Sequence, residues 1–325
     1  MKSKFALLIF LVISLLSAHF VCTTQASNGD SKQSIDRRTL QFPSDQPVGR
    51  LFTHDAGLSG SDLVNDLCLA KGKVSVPVER GHILVLALNA YTIDHPDILL
   101  SVSPQGLDGL EMNRMAMTEQ DGIAFARALT MVPHFQDIVY LSVKRSDARD
   151  DSMKILAKLP KLRYFDCFDS GITGSYFDKF ALTLSDLSIG RSPLRQSCLS
   201  SLAKLPRLTY LNLDHTGLQP EGLTNVCKCK HLKILILKDN PAVTDSGVQH
   251  LLALKELEKL DLRGTNVTSK GMDNLSTMKL KLIKLPKTIP DLAFSSLKKR
   301  MPGTYIEREN TAPSKEVQSI WGSLK

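Results

Sequence analysis

The sequence predicts an α/β solenoid: a curved stack of repeated units with a parallel sheet on the concave face and short helices or turns on the convex face. Three observations lead there. The pattern apolar-x-x-apolar-x-apolar returns nine times between Ile83 and Leu285, at steps of 22 to 31 residues that centre on 24. Six consecutive units place a small hydrogen-bonding residue eight positions after their first apolar residue. Leucine carries the apolar mass, with only 1 Trp, 6 Tyr and 12 Phe among 325 residues. Composition agrees, because 42% hydrophobic and 23% charged residues with 19 Gly and 15 Pro exclude disorder, collagen and coiled coil.

The chain opens on an address. Lys2 and Lys4 precede an apolar run from Phe5 to Leu16, and Ser17 to Ala26 turns small and polar, with Thr24-Gln25-Ala26 as the cleavage site. This is the layout of a signal peptide over residues 1–26. A spanning helix needs roughly 20 apolar residues, so the run is short for an anchor, which is the alternative. The mature chain is expected to be exported (periplasmic, cell-surface or secreted) with no transmembrane segment. Cleavage leaves 39 basic against 33 acidic residues, net +6, and five cysteines. Their spacing gives no disulfide framework. Residues 27–39 read as a linker, 40–82 as a capping unit, 83–306 as the solenoid with its closing unit, and 307–325 as a tail.

Each unit then justifies itself. The apolar triplets are Ile83/Leu86/Leu88, Leu107/Leu110/Met112, Ile138/Leu141/Val143, Leu162/Phe165/Cys167 and Leu184/Leu187/Ile189, followed by Leu208/Leu211/Leu213, Leu232/Leu235/Leu237, Leu257/Leu260/Leu262 and Leu280/Ile283/Leu285. Such a segment is too short to bury its own leucines, so units must stack on a shared core. Ser146, Ser170, Ser192, Thr216, Asn240 and Thr265 stand where the chain leaves each strand, and side chains of this kind satisfy backbone groups that a turn leaves open. Tyr91 and Met115 depart from that ladder, and an insertion around Met117 to Asp121 breaks the rhythm. Runs such as Gly247-Val248-x-x-Leu251 read as the short helical arms.

The stretches LTYLNLDHTGLQPEGL (208–223) and LEKLDLRGTNVTSKGM (257–272) resemble leucine-rich repeats of the short-helix class. In particular they resemble those of exported bacterial proteins abundant in planctomycetes, which favour Thr where other families use Asn or Cys. The resemblance covers about residues 40 to 306, including a lead-in strand around Leu40–Leu51 and a closing unit from Ile289 to Met301. It implies a solenoid of nine to ten repeats and is almost silent about function.

The residues themselves point to a non-catalytic, protein-binding role. Gly57-Leu58-Ser59-Gly60-Ser61 lacks the last glycine of a nucleophile elbow, and no zincin, P-loop or dinucleotide fingerprint occurs. No enzyme activity, cofactor or metal is expected. Cys227-Lys228-Cys229 has no second cluster at finger-like spacing. The register makes Cys167 and Cys229 buried thiols and leaves Cys227 accessible. Alternation directs the third and fifth residues of each triplet away from the core. The third-position row holds Tyr140, Tyr164 and Tyr210, and its neighbours include Asp166, Asn212 and Asp261, with His215 and Arg263 just beyond. Rigid aromatics on such a face are what protein interfaces use as anchors, so a protein partner is expected there. Charge offers the alternative. Residues 151–325 carry 27 basic and 17 acidic side chains, and Lys279, Lys281, Lys284, Lys287, Lys298, Lys299 and Arg300 crowd the end. That concentration suits an anionic glycan or envelope surface, while export argues against nucleic acid.

Overall fold

A computed structural model describes residues 35–55, 64–113, 118–156, 158–180 and 182–309. The leader expected over 1–26, the turn at Gly57–Ser61, Met115 and most of the tail lie outside those residues.

The described chain begins in antiparallel strands. β1 (Ile35–Gln41) pairs with β4 (Lys73–Glu79), while β2 (Gly49–Asp55) lies between β3 (Val64–Leu69) and β5 (His82–Leu88). β1 therefore starts inside the segment expected to be a linker. Arg38 explains why: its guanidinium reaches the Asp108 carboxylate at 2.6 Å, which also accepts the Leu84 N–H at 2.8 Å, while Leu40 and Phe42 bury behind it.

From β5 onward the strands are parallel and follow chain order. They are β6 (Gly109–Glu111), β7 (Tyr140–Ser142), β9 (Tyr164–Asp166), β11 (Asp186–Ser188), β12 (Tyr210–Asn212), β13 (Ile234–Ile236), β14 (Lys259–Asp261), β15 (Leu282–Leu285) and β16 (Tyr305–Arg308). With β2 and β3 they make one 12-stranded sheet, and β8 (Ser146–Arg149) pairs with β10 (Ser170–Gly171) beside it. The register aligns Leu86, Leu110, Leu141, Phe165, Leu187, Leu211, Leu235, Leu260, Ile283 and Ile306 in one buried column. Nine of these are the middle residues of the sequence triplets. Ile306 adds a tenth unit, so the sheet runs two residues beyond the expected boundary at 306.

Ile83 is an exception. It packs with Val85, Tyr140 and Tyr164 on the other face of the sheet, and Leu84 takes its place in the core. Pairing with β2 keeps β5 fully extended through residue 83, so strict alternation overrides the triplet spacing.

Opposite the open face lie the short arms: α1 (Ala90–Asp94), α2 (Glu119–Met131), α3 (Asp150–Leu156), α4 (Pro220–Val226), α5 (Asp245–Leu251), α6 (Ser269–Leu275) and α7 (Asp291–Arg300), with 3₁₀ turns in the remaining units. The insertion near Met117 lengthens one arm. Thr118 and Asp121 close a capping box, and Phe125, Ala128 and Leu129 bury at helical spacing over 13 residues. In the first unit Asn89 does the work of the missing ladder residue. Its side chain caps α1 through the Thr92 N–H at 2.8 Å and donates to the Pro47 carbonyl at 2.7 Å.

The polar ladder closes each turn. Ser170, Thr216 and Thr265 hydroxyls donate to the carbonyls of Cys167, Leu213 and Leu262, each three residues back, at 2.7, 3.0 and 2.6 Å. Neighbouring arms are also laced together. Asp150 accepts from the Thr173 N–H and hydroxyl one repeat on, and Asp245 does the same with Thr268. Burial pushes both carboxyls up, but these donors outweigh it and hold them below the usual range.

Candidate binding surface

The third and fifth positions do leave the core, as alternation requires. Tyr140, Tyr164, Asp186, Tyr210, Ile234, Lys259 and Leu282 stand side by side on adjacent strands, and Ser142, Asp166, Ser188, Asn212, Ile236, Asp261 and Lys284 form the parallel row. They are not open anchors, however. Tyr140 is 4% exposed, and Tyr164 and Tyr210 are 7% exposed.

Local packing explains the first two tyrosines. Tyr140 and Tyr164 join Ile83 and Val85 in a small apolar cluster separate from the main core. Gly109 gives the Tyr140 ring its room: a Cβ there would sit 2.9 Å from Tyr140 Cβ and Cδ1. The Tyr140 hydroxyl donates to Glu111 at 3.1 Å, and its ring meets His54 edge-on at a centroid distance of 4.8 Å. Burial, together with the Glu111 charge, pushes the Tyr140 hydroxyl well above its ordinary value, and burial, aided by the Lys144 charge, lowers the His54 imidazole. The Arg163 guanidinium lies 5.3 Å from the Tyr164 ring centroid. Together these contacts fasten the antiparallel cap to the first repeats. His54, Glu111 and Gly109 carry no repeat signature, so sequence reasoning missed them.

The fifth-position polar groups are occupied by their own strand ends. Asp166, Asn212 and Asp261 accept the N–H two residues on, from Phe168, Asp214 and Arg263, at 3.1, 2.9 and 3.1 Å. Asp261 is also clamped by the Arg263 guanidinium, which donates from Nε at 3.0 Å and from Nη2 at 2.6 Å. Burial raises the Asp166 carboxyl, and the Phe168 N–H only partly offsets it.

Accessible side chains concentrate where the strands end. Arg145, Asp169, Arg191, His215 and Asp239 occupy equivalent positions in successive units, and each has φ between 51° and 58°. Gly264 continues the row at φ 64°. The left-handed turn serves the stack, because each N–H then donates to the carbonyl of Phe168, Gly190, Asp214, Lys238 or Arg263 in the next unit. For residues other than glycine that conformation costs about 1 kcal/mol or more each. Arg145, Arg191 and His215 are exposed. A shallow groove runs along this edge between Asp169, Arg191, His215 and Asp239, and Arg191 stacks over Phe168 at 5.6 Å.

Three of the seven basic residues near the end are paired with carboxylates of the fold. Lys284 sits on the sheet face 3.4 Å from Glu307, Lys281 pairs with Glu258 at 2.8 Å, and Arg300 pairs with Asp273 at 2.7 Å. Lys298 leans over Phe294 at 4.7 Å. Lys279, Lys287, Lys298 and Lys299 are exposed.

Cys227 corrects an expectation: it is buried to the same 5% as Cys229. Leu223, Val226 and Cys227 fall at i, i+3 and i+4, so the turn ending α4 brings the thiol onto the core side. Burial pushes both thiols up to about 12. Cys167 is fully buried and donates to the Ser188 carbonyl at 3.2 Å. Cys167, Cys198, Cys227 and Cys229 are free thiols, and no cluster of metal-ligating side chains occurs among the described residues.

Comparison with known proteins agrees with this geometry. A family model described as Leucine Rich repeat matches residues 204–227, 228–252 and 255–276. The fold is a leucine-rich-repeat solenoid. A protein from Bacteroides fragilis of known crystal structure is similar over 82% of this chain and 97% of its own, at 15% identity and a TM-score of 0.54. An internalin from Listeria monocytogenes aligns over 64% of this chain and 62% of its own, at 18% identity and a TM-score of 0.43. No curated protein matches the leucine-rich-repeat chain. Among the described residues, no helix is long and apolar enough to cross a membrane.

Proposed function

We propose that the protein is an exported, non-catalytic scaffold that binds another protein along the strand-exit edge of its repeat sheet. The observation that carries this reading is the left-handed row. Glycine fits such a turn without strain, as Gly264 does, yet five consecutive units keep Arg145, Asp169, Arg191, His215 and Asp239 there. The cost of holding those side chains in place is offset if they present charge to a partner. The solenoid supports the role because its repeats hold the row rigid, so little ordering entropy is lost on binding. Asp166, Asn212, Asp261 and Arg263 then act from behind the edge: they fix the turns from which it projects. Export rests on the leader-like segment.

A capture experiment tests the reading. Immobilised protein would be exposed to an envelope extract at low and physiological salt, alongside Arg191→Glu/His215→Asp and Lys298→Glu/Lys299→Glu variants. Loss of one defined partner from the edge variant, with retention by the helix variant, is the expected result. The reverse pattern, with steep salt dependence, would refute it and favour an anionic surface.

A further inference from the structure

Two strands, β5 and β6, separate β2 from β7, yet a side chain from each meets over them: the His54 and Tyr140 ring centroids are 4.8 Å apart. Gly109 on β6 makes the room, because a Cβ there would crowd both Tyr140 and Val85. Ile83 and Val85 of β5 pack against Tyr140 beneath the contact. It fastens the antiparallel cap to the first repeats across the sheet face, and it hangs on the charge of one imidazole.

The partners of His54 fix its neutral form. Nδ1 lies 2.8 Å from the Asp55 carbonyl oxygen, which only accepts, so Nδ1 carries the proton. Nε2 is then the bare nitrogen, and it is buried without a hydrogen-bond partner in a residue only 8% exposed. A proton added at Nε2 would put a charged N–H where the described residues offer no acceptor. The surrounding charges are committed elsewhere. Asp66 of β3 pairs with Arg50 at 2.6 Å, and Asp55 faces Nε2 of His82 on β5 at 3.4 Å. Glu111 of β6 accepts from the Tyr140 hydroxyl at 3.1 Å through one oxygen and from the Asn113 amide at 3.2 Å through the other. Asp166 of β9 adds its field to Tyr140, and Lys144, just beyond β7, opposes a charge on His54. His82 also has a buried ring nitrogen without a partner, Nδ1, but Asp55 compensates a charge on that ring.

We propose that the His54–Tyr140 contact is a pH-operated latch, closed while His54 is neutral and released when Nε2 takes a proton, so that acid loosens β2 and its neighbours β3 and β5 against β7. Burial and the Lys144 charge lower the imidazole below its ordinary 6.5, and the Asp55 carbonyl with the Glu111 and Asp55 charges offsets this only in part. The unfolded chain therefore binds the proton more readily than the folded one. The latch contributes fully above about pH 6.5 and is lost as pH falls through the folded value. The inference stands on the cap geometry and does not depend on the partner proposed above. It meets that proposal at one point: Arg145, first of the left-handed row, stands just beyond β7, so the latch steadies the start of the edge.

Hydrogen exchange read by mass spectrometry tests the latch, with rates divided by intrinsic rates so that only protection is compared between about pH 8 and about pH 5. Acid should lower protection several-fold in β2 and β5 while β12 to β14 keep theirs. His54→Phe retains a ring against Tyr140 and has no proton to gain, so it should abolish the difference, whereas His82→Asn should preserve it. Circular dichroism checks that each variant folds. A second reading needs no variant: the His54 imidazole resonance, assigned through its contact with the Tyr140 ring, should titrate below its ordinary value and share its midpoint with the loss of protection. Unchanged protection in the wild type, or equal loss in His54→Phe, would overturn the proposal. So would midpoints that differ, or a response removed by His82→Asn, which would belong to His82. Loss spread evenly into β12 to β14 would be global acid unfolding and equally overturn it.

Discussion

Asn240 joins two repeats through one buried side chain, and removing it should be among the costlier polar substitutions in this molecule. It is fully buried. Its Oδ1 accepts the Leu218 N–H at 2.8 Å, and its Nδ2 donates to the carbonyls of Leu213, Leu237 and Lys238 at 2.7, 3.0 and 3.1 Å. Asn240→Ala leaves the Leu218 N–H buried without that acceptor, which costs about 1–3 kcal/mol, and removes carbonyl bonds worth about 1 kcal/mol each. Leu213 keeps the Thr216 hydroxyl at 3.0 Å, so its carbonyl is not orphaned. The expected loss is therefore about 3–5 kcal/mol. Asn240→Thr should recover part of it, because threonine at this ladder position bonds the carbonyl three residues back, as Thr265 does at 2.6 Å. It cannot reach Leu218 as well. Urea unfolding followed by circular dichroism would measure both variants, and hydrogen exchange at the Leu218 amide would show whether that group opens. An Asn240→Ala variant within about 0.5 kcal/mol of wild type would refute the reasoning.

Other substitutions test other parts of the structure. Leu211→Ala opens a cavity at a fully buried column position and should cost roughly 2–5 kcal/mol, with hydrogen-exchange protection falling in both adjoining units. Gly109→Val forces a side chain against Tyr140, so it should destabilise the cap by about 1–3 kcal/mol and weaken the Tyr140–Glu111 contact, visible as altered tyrosine absorbance on alkaline titration. Thiol labelling of the native protein should spare Cys167, Cys227 and Cys229, and reach the half-buried Cys68 and Cys198 first; prompt labelling of Cys227 would contradict its buried position. Lys259 has a folded pKa lowered to about 8 from 10.5. Between those values the unfolded chain binds more protons, so stability rises with pH there, and the penalty is complete below about pH 8. Lys259→Met should thus stabilise at pH 7, by up to about 3 kcal/mol, and its advantage should fade towards pH 10.5 in denaturant titrations.

Much of the fold was legible because repeats multiply a weak signal. One Leu-x-x-Leu-x-Leu is ambiguous, but nine at a common period fix the column residue of nine of the ten parallel strands from β5 to β16 in the main sheet, and the register found is that of the triplets. The polar ladder was legible for the same reason. What escaped were the features that occur once. A capping unit was expected over residues 40–82, but not the contact of Arg38 with Asp108, 70 residues apart, because no period announces such a pair. Helix α2 escaped because an insertion reads as a broken rhythm, whereas Thr118 and Asp121 turn it into a capped start. Cys227 was misplaced because the triplet register stops at the strand and the arm obeys its own 3.6-residue period.

The candidate surface was harder to read, and the reason is physical. Alternation states which face a side chain points to, but not what lies over that face or which bond it already makes. Tyr140 and Tyr164 read as open anchors from spacing alone, yet Gly109 and Ile83 make a bed for them. Asp166, Asn212 and Asp261 read as a polar rim, yet each closes the turn that follows it. A side chain whose hydrogen bonds are spent inside the unit has little left for a partner. The left-handed row inverts that logic. Its backbone groups serve the stack, which any residue able to hold φ near 55° accomplishes, and glycine does so most cheaply. The side chains of Arg145, Arg191 and His215 are therefore surplus to the fold and stand exposed. In a solenoid whose strands are closed by their own polar residues, specificity is best carried by positions that stability would have left to glycine.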